Sequence, residues 1–245
     1  MPYSTLPWMP RSPHYPDIVT PILELSKKYG IDRIHDQVKG HLESDWPQTL
    51  RDWDNLEKDI KFMTDDPDAV GLIDDHFPEP AAAIKVARQF DIPSILPAAF
   101  YHLSRLSILD DWDKTGMVPS EYKSTQNHTR RTARWMLLSA QDFRCFLLAK
   151  AKFAEIVREW KDLPGRHKVR SGRGTEECEV AERLWKDIHD RCLQSTDPLA
   201  LLQSRIEFVM GGDYCQTCAN GLRDKIRALR REIWDKLGEL CRLTL

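Results

Sequence analysis

A shift of 61 residues lays one amphipathic segment of this chain over another. Leu23, Leu25, Lys27, Tyr29, Ile31, Ile34, His41 and Leu42 fall on Ile84, Val86, Arg88, Phe90, Ile92, Ile95, His102 and Leu103, with no gap over twenty positions. Any two amphipathic helices share a period, so matching apolar positions alone proves little. The shared order basic–x–aromatic–x–Ile–x–x–Ile is a stronger constraint, and it requires both copies to fold alike. In the first copy Pro21 suits the first turn of a helix, where its missing N–H costs nothing. Ile22, Leu23, Leu25, Ser26 and Tyr29 follow at helical spacing, and Gly30 is a natural stop. Asp32 reads as the N-cap of a second helix whose apolar side is Ile34, Val38 and Leu42. The unit is an αα-hairpin. In the second copy Asp91, Pro93 and Ser94 supply the turn, again with Pro just inside a helix start, and Pro97 also falls in a first turn.

The remaining chain reads as further helices. Residues 1–20 carry prolines at positions 2, 7, 10, 13 and 16 and suggest an extended, polyproline-like arm. Between the copies, Trp46-Pro47-x-Thr49-Leu50-x-x-Trp53 leads into a short helix through Leu56, Ile60 and Phe62, with Thr49 as its cap. An acidic stretch (Asp65, Asp66, Asp68, Asp74, Asp75) precedes His76 and a Pro78-Glu79-Pro80 turn, and is expected to be a solvated loop. A long helix is expected from about Asn127 to Trp160, carrying Trp135, Leu138, Phe143, Phe146, Leu147, Phe153 and Val157. Leu163 to Gly174 reads as a loop, with Pro164, Gly165, Gly172 and Gly174 among basic residues. Helices follow at 176–193, at 198–210 behind the cap-like Asp197, and from near Tyr214, where Leu222, Ile226, Leu229, Ile233, Leu237 and Leu240 form a stripe. No run alternates strictly by two. The expected fold is all-α, an array of αα-hairpins divided as arm 1–20, repeated hairpins 21–112 and a helical bundle 113–245 with a basic loop at 161–174.

Composition narrows the function classes. A formal charge of -2 gives no bulk electrostatic case for nucleic acid or an anionic membrane. No apolar run approaches the ~20 residues of a membrane span, and the N-terminus lacks a signal-peptide core. Six cysteines in 245 residues are too sparse for a disulfide scaffold, so reduced thiols and an intracellular setting, cytoplasmic or nuclear, are expected.

Three segments carry a family resemblance. The first is Ile22-Leu23-Glu24-Leu25-Ser26-Lys27-Lys28-Tyr29-x-Ile31-x-x-Ile34, followed by Trp46-Pro47 and Trp53. The second is Ala87-Arg88-x-Phe90-x-Ile92-Pro93-Ser94-Ile95-Leu96-Pro97-Ala98-Ala99-Phe100-Tyr101. The third is Asp197-Pro198-Leu199, Cys215-x-x-Cys218 and Arg231-x-x-Trp234-x-x-Leu237. Together they resemble the closing helical hairpin and C-terminal helical region of the large BTB/POZ family of basidiomycete fungi. The strand-and-helix body that precedes this hairpin in the family is absent, so the chain resembles the tail of a family member, or a truncated gene product. The resemblance implies protein binding and an adaptor role. Dimerisation and docking to a cullin ligase scaffold belong to the missing body and do not carry over. The family's closing Leu-Pro-x-x-Phe-x-Leu also reads Leu237-Gly238-Glu239-Leu240-Cys241-Arg242-Leu243 here, which packs more loosely.

The candidate sites each have a plain structural alternative. Cys215-x-x-Cys218 has zinc spacing, and His189 with Cys192 would complete a tetrahedral set. A continuous helix over 176–193 would hold Cys178 and Cys192 about 21 Å apart, so those two cannot share an ion. One CxxC is a weak pattern, small buried cysteines are common, and no metal site is assigned. Asp74-Asp75-His76 offers an acid–base or metal reading against that of a solvated loop. His41 and His102 recur in the repeat and suit packing or hydrogen bonding. The six basic residues from Lys161 to Arg173 have no interleaved aromatics on which bases would stack. Arg223, Lys225, Arg227, Arg230 and Arg231 flank the last stripe as a coiled-coil seam, a membrane-surface helix or a buried helix, with burial expected. Trp46, Trp53, Trp112, Trp135, Trp160, Trp185 and Trp234 are expected core anchors. No GxSxG, HExxH, Walker A or GxGxxG pattern occurs, so no catalytic or cofactor residue is assigned. The expectation is a non-enzymatic module that binds protein partners in a groove between hairpins. A zinc-stabilised module contacting nucleic acid is the alternative.

Overall fold

The fold is all-α. The computed structural model describes residues 10–65, 74, 77–115, 131–161, 167–171, 174–178, 180–211 and 214–242. The chain forms two compact units, Met1–Leu147 with Gly238–Leu245, and Leu148–Leu237. The division falls at 147/148 and not at 112/113. The reason lies in residues 131–134, which bind back onto the start of the second hairpin: Thr132 N–H donates to Asp74 and Arg134 N–H to Glu79, both at 2.9 Å.

The first unit holds both repeats. Hairpin one is α1 (Tyr15–Tyr29) and α2 (Asp32–Asp45). Hairpin two is α4 (Pro80–Gln89), a 3₁₀ turn Pro93–Ile95 and α5 (Leu96–Arg105). Between them lies α3 (Leu50–Asp65), and beyond them the single turn α6 (Trp112–Thr115). The strongest sign of repetition is in the turns. Gly30 and Asp91, 61 residues apart, are both left-handed, with φ of 65° and 55°. Ile31 N–H donates to Ser26 C=O and Ile92 N–H to Ala87 C=O, each at 2.9 Å, which closes both first helices with the same six-to-one bond. The buried side chains of this unit include Leu23, Leu42, Trp53, Phe77, Ile84, Ile92, Phe100, Tyr101 and Leu103.

Several boundaries differ from expectation. Residues 15–20 are helical, so the extended-arm reading fails there; residues 1–9 lie outside the described residues. Pro16 occupies the first turn and Pro21 lies inside α1. An interior proline costs ~3 kcal/mol or more in isolation, but Tyr15 and Val19 extend the buried stripe of Leu23, and their burial holds the extra turns. Asp32 opens α2 without capping it; Ile31 is the N-cap and no side chain bonds there. Pro93 opens a 3₁₀ turn and Pro97 lies in the first turn of α5. Thr49 caps α3 as expected, accepting from Asp52 N–H at 3.2 Å.

The helix expected from Asn127 begins at Ala140, giving α7 (Ala140–Glu159). Ser139 and Asp142 set that start: Ser139 Oγ accepts Asp142 N–H at 3.1 Å, while the Asp142 carboxylate takes Ser139 N–H at 3.0 Å. This is the reciprocal arrangement of a capping box.

In the second unit an antiparallel hairpin, β1 (His167–Ser171) with β2 (Gly174–Cys178), in the register His167↔Cys178 to Ser171↔Gly174, lies where a loop over 163–174 and the start of a helix at 176 are expected, and the helix begins only at Val180. Cys178 therefore ends a strand, and the distance argument that placed it on a helix with Cys192 does not apply. Then come α8 (Val180–Gln194), α9 (Pro198–Gly211), and α10 (Gln216–Arg242). Asp197 caps α9 through Ala200 N–H at 3.1 Å. Leu222, Ile226, Leu229, Ile233 and Leu237 are wholly buried, together with Trp185 and Leu202.

Candidate interaction surface

The two hairpins share a turn and differ in what covers them. On α4 and its turn, Val86, Phe90 and Ile92 are 2%, 5% and 0% exposed. Their counterparts Leu25, Tyr29 and Ile31 are 55%, 65% and 42% exposed. Ile18, at 38%, stands seven residues before Leu25 and eleven before Tyr29, so the three share one line along α1. The half-buried Ile22 fills the same line. Leu23, Val19 and Ser26 meanwhile point into the core. Single exposed apolar residues are ordinary, but a contiguous stripe on one helix face is a feature of contact surfaces. The face of hairpin two is closed in part by hairpin one: His35 Nε2–H donates to the Phe90 carbonyl at 3.0 Å, and Gln89 and Ser94 bond to Glu24 and Glu43. Of the large apolar side chains on the two hairpins, those left open thus lie on the outer face of hairpin one.

A polar cluster joins α5 of hairpin two to α3, with His102 buried and Arg105 and Glu57 half-buried. The Arg105 guanidinium lies 4.7 Å above the Trp53 ring, donates to Glu57 Oε2 at 2.8 Å, and lies 2.6 Å from His102 Nδ1. Arginine only donates, so His102 Nδ1 accepts and the neutral ring carries its proton on Nε2. Burial, and then the positive charges of Arg131 and Arg105, hold the His102 pKa well below the ordinary histidine range. His41, its counterpart, lies 2.6 Å from the Tyr15 hydroxyl, and desolvation lowers its pKa. Burial, then the Asp45 charge, pushes the Tyr15 phenol up, so it stays protonated. Both repeat histidines therefore have hydrogen-bonding roles.

Asp74, expected in a solvated loop, is buried. It holds Arg131 Nε at 2.8 Å and takes both Thr132 N–H and Thr132 Oγ–H. Desolvation outweighs these contacts and raises its pKa. The partner comes from 57 positions away, so no local pattern announces it. Asp75 and His76 lie outside the described residues. Glu79 is also buried, and its two oxygens cap α4 through Ala81 and Ala82 N–H at 3.0 and 2.6 Å. A cavity of about 340 Å³ opens beside Arg11, Asp45, Trp46, Gln48 and Asp52. Two of its carboxylates serve the fold: Asp45 takes Arg11 N–H at 2.9 Å, and Asp52 takes the Thr49 hydroxyl at 2.6 Å.

The cysteine corner has a structural explanation. Cys215 precedes α10, and its Sγ accepts Cys218 N–H at 3.4 Å, so the C-x-x-C spacing is the N-cap to third-residue spacing. Cys218 is buried. His189 Nε2–H donates to the Val157 carbonyl at 2.9 Å, and burial pushes the Cys192 thiol up to about 12. Among the described residues no group of three or more His, Cys, Asp and Glu is placed to hold a metal ion.

The basic residues of the last helix are largely used within its unit. Arg230 is buried and donates to Gln203 at 2.7 Å, while Lys225 Nζ lies 4.6 Å from the Trp185 ring centre. Trp46, Trp53, Trp135 and Trp185 are buried, and Trp112, Trp160 and Trp234 are half-buried. The basic loop from Lys161 to Arg173 lies partly outside the described residues. Among the described residues no helix is long and apolar enough to cross a membrane. The chain matches no family model, no curated protein and no solved structure.

Proposed function

We propose that the chain is a non-enzymatic, intracellular protein-interaction module, adaptor-like in use, whose contact surface is the outer face of hairpin one. The observation that carries this is the burial contrast between copies: identical turns, with Val86, Phe90 and Ile92 covered and Leu25, Tyr29 and Ile31 open. A helix that presents Ile18, Leu25 and Tyr29 in line suits burial of a partner's apolar residues, the recognition mode of helix-in-groove contacts. The resemblance to the helical region of basidiomycete BTB/POZ proteins agrees with this reading and is part of the proposal.

The test is affinity capture with the full chain and with its Leu25→Asp, Tyr29→Asp double variant. The expected result is a set of partners that the wild-type chain retains reproducibly and the variant loses, with an unchanged melting temperature. Identical capture by both chains contradicts the proposal.

A further inference from the structure

The outer face of hairpin one has an internal precedent, and the nature of its occupant can be argued on the premise that this face is the interaction surface. Hairpin two's equivalent face is capped at its rim by two carboxylates of hairpin one. Gln89 Nε2 donates to Glu24 Oε1 at 3.1 Å, and Ser94 Oγ donates to Glu43 Oε1 at 2.6 Å. Between those rim contacts, His35 Nε2–H donates to the Phe90 carbonyl, and Phe90 and Ile92 are buried.

Sixty-one residues earlier, the positions of Gln89 and Ser94 are held by Lys28 and Arg33. Both are exposed, beside the equally exposed Asp32 and Asp36, and they flank the same left-handed turn and the open Tyr29 and Ile31, with Lys28 Nζ 5.4 Å from the centre of the Tyr29 ring. Where the closed face meets glutamates with two neutral donors, the open face presents two cations at the same register. The substitution keeps the donors and adds charge, which strengthens a hydrogen bond to a carboxylate.

We infer that the occupant of this face is an α-helical hairpin of another protein, apolar along its middle and rimmed by two carboxylates set to meet Lys28 and Arg33. It repeats in trans the contact that hairpin one makes with hairpin two. It also places an N–H donor at the Tyr29 carbonyl, where His35 serves Phe90. A second copy of the chain is a poor occupant, because its own Glu24 and Glu43 already serve its own Gln89 and Ser94.

The experiment places the photo-crosslinking amino acid p-benzoylphenylalanine at position 25 of the full chain, in native cell extract, and maps the adducts by mass spectrometry. Adducts are expected on a helical segment that carries at least two Asp or Glu residues. The Lys28→Glu, Arg33→Glu chain is expected to lose them by tenfold or more at unchanged melting temperature. The Lys28→Gln, Arg33→Ser chain restores the chemistry of the closed copy and is expected to give an intermediate yield. Equal yield from the charge-reversed chain overturns the inference while leaving the interaction role intact. Adducts on a segment without carboxylates, or on a second copy of the chain, overturn it as well. Adducts only to lipid or nucleic acid, or none to any protein, overturn both.

Discussion

Hairpin one and hairpin two are built to one pattern and put to different ends. Both close their first helix on a left-handed residue and the same six-to-one hydrogen bond. In hairpin two the aromatic and isoleucine at the turn are core residues; in hairpin one they face outward. The sequence periodicity is therefore the same where the consequences differ. What separates them is position in the array: hairpin one covers hairpin two, and nothing among the described residues covers the outer face of hairpin one to the same degree. A pattern of apolar residues states that a face must be buried, not by what.

The largest expected contrast comes from truncating the paired aromatics. Phe90→Ala removes a buried ring and is expected to cost about 3–5 kcal/mol in urea denaturation. Tyr29→Ala removes an exposed one and is expected to stay under about 1 kcal/mol. Similar costs at the two positions would break the comparison.

The paired histidines give a second contrast, read by pH. Both have folded pKa values below the unfolded one, so their contribution is present above about pH 6.5 and is lost as pH falls toward the depressed folded values. His102 is shifted further, because it is buried beside Arg131 and Arg105. Asp74 and Glu79 are raised and act with opposite sign, their contribution falling as pH rises through their folded values. The decisive quantity is therefore a difference between chains. Denaturation midpoints between pH 5 and 7 should fall less steeply on acidification in His102→Gln than in the wild type, with a smaller flattening in His41→Gln. An equal effect from the two would remove the distinction.

The smallest contrast is in the turns. Gly30→Ala places a Cβ at positive φ and is expected to destabilise by about 1 kcal/mol. Asp91→Gly relieves a strained L-residue at the equivalent position and is expected to stabilise by up to about 1 kcal/mol. Thermal melts check both, and opposite signs at equivalent positions would sharpen the case for one shared turn.

Much of the fold is legible in the sequence because it rests on local signals. Period and punctuation locate both hairpins, Gly30 marks a stop, and Thr49 and Asp197 mark starts. The failures come from long-range pairing or from signals of the wrong kind. Asp74 looks solvated in the sequence because Arg131 and Thr132, which bury it, lie far along the chain. The strand β1 reads as loop because its basic, glycine-flanked sequence lacks apolar alternation, and Glu176 to Cys178 of β2 read as the first turn of the helix that in fact starts at Val180. The start of α7 lies later than periodicity suggests, although Ser139-x-x-Asp142 is a readable capping signal, and α1 begins early on Tyr15 and Val19. The stripe of the candidate surface is visible as helix, but its exposure is not, since exposure depends on which neighbour arrives to cover it.

The most direct test sets Leu25→Asp beside Val86→Asp, equivalent positions 61 residues apart, and measures unfolding free energy and partner retention for each chain. Val86→Asp is expected to destabilise by about 3 kcal/mol or more by burying an unpaired carboxylate. Leu25→Asp is expected to leave stability within about 0.5 kcal/mol and to abolish retention of the partner. A Leu25→Asp chain that unfolds as readily as its counterpart, or that stays folded and keeps every partner, would contradict the assignment of this face.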